Sequence, residues 1–208
     1  MRRSPIALFA LLSACLAPSV ALADDTIRRP GEHPKYNVEI EPHLLLGWGG
    51  VAGSWSGSAG IGPGVRFGIP IVENGFIPTI NNSIAISFGA DILYYGGGCG
   101  YANGLAVDCS AWYFEFPVTM QWNFYVSQRW SVFGEPGLFP YHAEFPNNGA
   151  CYYAGPGHST CAYAPSGFAQ NGVLPAFFAG ARYHFSDKAA LTFRVGYPTI
   201  SIGVSFFP

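Results

Sequence analysis

Three places in the sequence gather side chains able to do chemistry. His184-Phe185-Ser186 sets an imidazole two residues from a hydroxyl, a base beside a nucleophile. His142 precedes Glu144 by two residues, with no serine at an equivalent position. His158 falls in Gly155-Pro156-Gly157-His158-Ser159, where turn-forming residues account for it. Four cysteines, Cys99, Cys109, Cys151 and Cys161, complete the reactive set. No C-x2-C or paired-histidine spacing accompanies them, so no metal site is expected. Glycine pairs are frequent, but none sits between a strand and a helix as a phosphate loop requires. The motifs therefore predict no catalytic residues, no cofactor and no metal, and His184 reads best as a hydrogen-bonded interior histidine.

The elements that position these residues follow a period of two. Between positions 112 and 126 one parity reads Trp112, Phe114, Phe116, Val118, Met120, Trp122, Phe124 and Val126. The other reads Tyr113, Glu115, Pro117, Thr119, Gln121, Asn123 and Tyr125. This alternation belongs to a strand and excludes a helix. The pattern recurs over 38–48, 61–71, 84–94, 130–141, 175–185, 191–197 and 200–206, which makes eight strands. Their connections alternate. On one side lie 49–60, 96–111 and 146–172, with a very short fourth connection at 197–199. On the other lie 127–129 and 186–188, with a longer turn at 72–82.

Composition narrows the class. Of 208 residues, 50% are hydrophobic, 16% aromatic and only 11% charged. So little charge excludes a disordered tail, a coiled coil and a nucleic-acid binder. The 27 glycines and 17 prolines disfavour an all-helical fold.

The N-terminus reads as an address. Met1-Arg2-Arg3 is basic, an apolar stretch follows, and Ala21-Leu22-Ala23 forms a small-x-small cleavage site. Residues 1–23 are expected to be a secretory signal peptide, 24–36 a periplasmic segment and 37–208 the folded domain. Leu12-Ser13-Ala14-Cys15 is similar to a lipobox, so acylation of Cys15 is the competing reading. Export leaves an even number of cysteines. Each sequential pair, Cys99–Cys109 and Cys151–Cys161, encloses nine residues and predicts a disulfide in a long loop.

Which parity faces lipid decides the class. The apolar parity carries the large residues, and the other is rich in Gly, Ser and Ala. Glu39, Glu41, Arg66, Asp91, Glu115, Glu135, Arg182 and Arg194 fall on the small parity, with His43 and His184. Turned inward, these charges would pair into a network that fills the lumen; turned outward, they would meet hydrocarbon. Aromatics cluster at strand ends: Trp48, Tyr94, Trp112, Tyr141 and Tyr197 near the long loops, and Phe124, Tyr125, Trp130, Tyr183, Phe185 and Phe206 near the short turns. Two such sets suit two membrane interfaces.

On this pattern, and on the alternating last strand 199–207, residues 37–208 resemble the OmpA/OmpX-type eight-stranded barrels of the bacterial outer membrane. The final Pro208 departs from the terminal aromatic of that group. The resemblance implies an all-β, eight-stranded antiparallel up-and-down transmembrane β-barrel. It places the termini in the periplasm and the long loops outside, and it transfers no ligand. The expected role is a non-enzymatic, porin-like surface barrel of a Gram-negative cell, structural or adhesive, acting through disulfide-bonded loops. The loop 146–172 contains no Asp, Glu, Lys or Arg, and its Tyr152, Tyr153, Tyr163 and Phe168 are candidate contacts for an extracellular protein or glycan. Outer-membrane lipid and lipopolysaccharide are the expected surroundings, nucleic acid is not a partner, and the barrel is expected to be a monomer.

Three alternatives stay open on sequence. A lipid-modifying enzyme would use His184 with Ser186, which resembles the His-x-Ser of lipid A deacylases. A narrow ion channel would need gaps among the lumen charges. A soluble lipocalin-like binder would reverse the two faces.

Overall fold

The computed structural model describes residues 26–47, 59–96, 98–102, 105–108, 110–145, 150–153, 159–162 and 168–208. After a short 3-10 turn at Thr26–Arg28, every regular element is a strand. In chain order these are β1 (Glu39–Gly47), β2 (Gly60–Val72), β3 (Asn82–Tyr95), β4 (Gly98–Ala102), β5 (Leu105–Asp108), β6 (Ala111–Glu115) and β7 (Val118–Tyr125). They continue as β8 (Trp130–Phe145), β9 (Ala150–Tyr153), β10 (Ser159–Ala162), β11 (Phe168–Ser186), β12 (Ala189–Tyr197) and β13 (Thr199–Phe206).

Eight walls close on themselves. Each neighbouring pair is antiparallel from β1 through β2 and β3 to the β6–β7 wall, then β8, β11, β12 and β13. β13 pairs back onto β1, with Ile40 opposite Phe206 and Leu46 opposite Ile200. The fold is therefore an all-β, eight-stranded antiparallel barrel. Closure satisfies the backbone without an open edge, the condition a sheet must meet in hydrocarbon. The wall read from sequence as one strand over 112–126 is divided at Phe116-Pro117. Pro117 has no N–H to donate, so the ladder lapses there. Its carbonyl still accepts from Gly89 N at 3.1 Å, and Phe116 N donates to Pro140 O at 2.9 Å, which keeps the two halves in one wall.

The large apolar parity points out. Leu44, Phe177, Phe193 and Ile202 are among more than twenty large apolar side chains on the outer surface, and Phe177 is 61% exposed. The charged parity points in, where Glu41 and Arg194 are each 1% exposed. A water-soluble barrel would place the same residues the other way round, so the lipocalin-like alternative is set aside. Among the described residues no helix is long and apolar enough to cross a membrane.

Several features differ from the sequence reading. The walls β8 and β11 are longer than expected, pairing as far as Phe145 opposite Phe168, so residues 168–172 of the supposed loop are strand. Two further hairpins, β4–β5 and β9–β10, form their own small sheets on that side. Tyr125 and Tyr141, assigned above to interfacial girdles, are buried inside the barrel. Trp48 lies outside the described residues, as do residues 1–25 with the expected signal peptide and Cys15.

The disulfide expectation is corrected. Among the described residues no disulfide bond is present. Cys151 and Cys161 do stand directly opposite in β9–β10, but backbone pairing is what joins the two strands. Cys99 lies on β4, and Cys109 lies outside the described residues. A role that depends on disulfide-bonded loops is therefore withdrawn.

The outward face makes a direct prediction. Phe193→Arg, at the middle of β12, should lower stability in bilayers by about 2–4 kcal/mol, the cost of an arginine near the midplane. Urea unfolding of the barrel in lipid vesicles measures it. A change within about 0.5 kcal/mol, the range of an ordinary surface substitution, would mean this face does not meet hydrocarbon.

Candidate functional site: a layered lumen and a raised wall

The barrel interior has three layers. The middle one holds all eight charged residues singled out from the sequence. Glu135 on β8 is its hub. Arg194 reaches it through Nε at 2.9 Å, Arg66 donates through Nη1 at 3.1 Å, and Gln121 donates through its side-chain amide. Arg194 also forks onto both oxygens of Glu41, at 2.7 and 3.1 Å. Arg182 donates to both oxygens of Glu39 at 2.7 and 2.9 Å, and to Asn123 Oδ1 at 2.8 Å. Arg66 Nη2 lies 3.5 Å from Asp91, and His43 Nε2 lies 3.0 Å from the same carboxylate. The Phe133 ring lies between two guanidiniums, 4.5 Å from Arg182 and 5.1 Å from Arg194. Glu115 is the exception: it is buried opposite Asp91 in register, with one oxygen lacking a hydrogen-bond partner.

Small residues make room for these groups. A Cβ at Gly64 would fall onto the Asp91 carboxylate and against His43, and one at Gly180 would strike the Phe133 ring. These close approaches explain why the inward parity is so rich in glycine.

Above the charges lies an apolar layer. Leu45, Leu93, Tyr95, Tyr113, Phe139 and Phe178 pack into one buried cluster with their neighbours. Tyr95 and Tyr113 meet edge to face at 5.2 Å. Among the described residues, buried side chains occupy both layers.

The lowest layer comes from the chain before β1. Asn81 N donates to Ile27 O at 2.7 Å, and Asn81 Nδ2 donates to Glu32 O at 2.8 Å. Asn81 Oδ1 lies 2.7 Å from His33 Nδ1. The His33 ring stacks on Tyr125 at 4.4 Å, and Tyr36 tilts against Phe207 at 4.7 Å. Burial at this mouth pushes the Tyr36 phenol well above its ordinary range, with Tyr125 and Glu39 adding to it. The turn 73–81, oddly long in sequence, serves this segment. It also lies against the outer wall, where Phe76 meets Trp122 edge-on at 5.7 Å. Ile84, the register partner of Trp122, is buried there.

The candidate enzyme residues are not brought together. His184 is buried in the lumen and pairs through Nε2 with Ser131 Oγ at 3.1 Å, while its ring stacks on Phe207. Ser186 is exposed, and its hydroxyl accepts from Lys188 N in the turn. His142 faces outward between Asn171 Oδ1 at 2.6 Å and Glu144 at 3.4 Å. His158 lies outside the described residues.

On the long-loop side β8 and β11 extend beyond the described part of β12. β11 pairs with β12 only from Phe177 downward, whereas it pairs with β8 from Phe168. Pro140 O is turned to Phe116 N on the far side of β8, so Val173, opposite Pro140, directs its own N–H and C=O away from β8. Alternation gives Ala169, Asn171 and Pro175 the same direction. Among the described residues nothing pairs with this edge. Tyr152 and Tyr153 lie on β9 and Phe168 begins β11, whereas Tyr163 lies outside the described residues.

An apolar outer belt on a closed barrel defines a transmembrane β-barrel of the bacterial outer membrane, with long loops and hairpins on the cell surface. No protein-family profile matches the chain, and no curated protein matches it. Among solved structures it is similar to Ail, the attachment invasion locus protein of Yersinia pestis, at 12% identity and a TM-score of 0.47, over 84% of this chain and 98% of that one. Ail in complex with the heparin analogue sucrose octasulfate matches at 12% identity and 0.46, over 81% and 95%. Neisserial surface protein A matches at 12% identity and 0.48, over 82% and 96%.

The ion-pair layer predicts a large, specific loss. Arg194→Leu leaves Glu41 and Glu135 facing each other without their shared cation and should destabilise the barrel by about 3–5 kcal/mol. Adding Glu41→Gln should recover part of that loss. Urea titration of the refolded variants reads both effects. A loss below about 1 kcal/mol for the single variant would mean the pair is as weak as an exposed one.

Proposed function

We propose that this chain is a non-enzymatic surface barrel of the OmpA/OmpX type, with a structural and adhesive role, working as a monomer. The free edge of β11 carries the reading. A sheet edge with unpaired N–H and C=O groups accepts an added strand, and a raised edge outside the membrane offers itself to an extended segment of another protein. Pro175 interrupts the row of donors nearest the membrane and leaves Ala169, Asn171 and Val173 above it. The partner class is therefore an extracellular protein, recognised mainly through its backbone. Tyr152, Tyr153, Tyr163 and Phe168 are the proposed side-chain contacts, since uncharged aromatics suit protein or glycan surfaces. Lipopolysaccharide surrounds the wall without being the recognised ligand. Nucleic acid is not a partner, because the sequence of the long-loop side holds no Lys or Arg.

Val173→Pro tests the reading, since it removes one edge donor without touching the β8 ladder. Cells displaying the variant should adhere to protein-coated surfaces about fivefold less than wild type, the value of one net hydrogen bond. The shift in gel mobility between unboiled and boiled samples should stay intact. Equal adherence of a deletion strain would overturn the adhesive role. Adherence kept by Val173→Pro but lost in Tyr152→Ala with Tyr153→Ala would move recognition from the edge to the hairpin.

A further inference from the structure

At the periplasmic end a cavity of about 260 Å³ opens between the N-terminal segment and the end of β2. Its walls include His33, Lys35, Tyr36, Ile71, Glu73 and Tyr125. Two features give it chemical character. Lys35 and Glu73 form an ion pair at 3.2 Å on its rim, and both side chains are largely exposed, so each keeps capacity for a second partner. Ile71, by contrast, belongs to the outward apolar parity and is 56% exposed, so the cavity adjoins the lipid belt. The His33–Tyr125 stack makes a rigid aromatic wall, with the Tyr125 hydroxyl held 3.0 Å from Ser83 Oγ.

The remaining charges match this placement. The five basic residues after position 23 that are outside the lumen are Arg28, Arg29, Lys35, Arg129 and Lys188, and all lie on the short-turn side. Glu32, Glu73 and Asp187 are interspersed with them. A rim of mixed sign does not select a plain anion. It suits a group that carries both signs close together.

Resting on the outer-membrane reading above, we propose that this cavity is a headgroup site for a zwitterionic phospholipid of the periplasmic leaflet, one whose phosphate and primary ammonium are joined by a short linker. The phosphate pairs with Lys35 and the ammonium with Glu73, which closes an alternating ring of four charges. An acyl chain then runs up the wall over Ile71 and Ile69, the latter 44% exposed on the same face. A purely anionic head would satisfy Lys35 and be repelled by Glu73. A quaternary ammonium would keep its charge but lose its hydrogen bonds to the carboxylate.

The test uses the protein in nanodiscs of equal phosphatidylethanolamine and phosphatidylglycerol, with the lipids retained on release counted by native mass spectrometry. Wild type should retain phosphatidylethanolamine with about a fivefold enrichment, the effect of one exposed ion pair of about 1 kcal/mol between its ammonium and Glu73. Glu73→Gln should bring the ratio close to that of the bulk lipid, whereas Lys35→Gln should lower the total number of lipids retained and keep the preference. The charge swap Lys35→Glu with Glu73→Lys keeps both signs and should restore the enrichment. A wild-type ratio equal to bulk, or one favouring phosphatidylglycerol, would overturn the site. So would displacement of the lipid by soluble glycerophosphoethanolamine at equal concentration, which would make the ligand a free solute. Loss of enrichment with the heat-dependent gel shift intact counts against the site alone. Absence of the shift counts against the membrane reading itself.

Discussion

A charge sealed inside a barrel has no water to fall back on, and the interior of this one is organised by that constraint. Three arginines meet four of the five carboxylates in the middle layer, and all but the Arg66–Asp91 contact cross the lumen instead of following the sheet. Arg182 ties β11 to β1, Arg194 ties β12 to β1 and β8, and Arg66 ties β2 to β3 and β8. Walls that are not neighbours in the sheet are thereby held at fixed separation. Each guanidinium is also placed against an aromatic face, while Nε of Arg66 and Nε of Arg182 are buried without a hydrogen-bond partner. Desolvating these ions is expensive, and only such dense pairing makes it tolerable. The glycines that line the opposite walls are part of the same solution, since a side chain at Gly64 or Gly180 would occupy the space the ions and Phe133 need.

Filling the lumen with paired charge determines what the other two layers do. The apolar cluster above it and the N-terminal segment below it isolate the ions from both aqueous sides. Asn81 is central to the lower closure, because one side chain and its own backbone hold three points of the strap. The strap in turn rests on Tyr125, at the end of β7, and on Phe207, which follows β13. Its seat therefore exists only once β13 has closed on β1.

The alternation along 112–126 was enough to read a strand, and the sorting of large against small residues was enough to read which face meets lipid. Both signals are strong because lipid permits no exceptions at the midplane. Other features left weaker traces. Residues 168–174 continue β11, yet their Ala, Gln, Asn and Gly resemble a loop, since above the membrane neither face has to be apolar. Tyr125 and Tyr141 counted as interfacial from their positions at strand ends, although the parity of 125 already pointed inward. The small cysteine-bounded loops suggested bridges, but an antiparallel hairpin needs no covalent closure to bring its two strands opposite. The length of the 72–82 turn was the one visible sign of the strap, and nothing local in sequence connects Asn81 to His33 across 48 positions.

The two ends of the barrel are chemically unlike, and the difference follows from what each end faces. On the surface side the connecting segments contain no Lys or Arg, and their polar character comes from amides, hydroxyls and glycine-rich backbone. Such a surface has little long-range field, so encounters there depend on contact and on backbone hydrogen bonding. The raised edge of β11 supplies backbone groups for that kind of contact. On the periplasmic side basic and acidic residues are mixed, and the turn 73–81 lays Phe76 against Trp122, with Phe76 and Ile77 66% and 37% exposed. Charges and exposed apolar groups within a few residues of one another fit a lipid interface, where head and chain regions meet over a short distance. The ion-pair layer lies between these two ends, and each end can answer to its own surroundings.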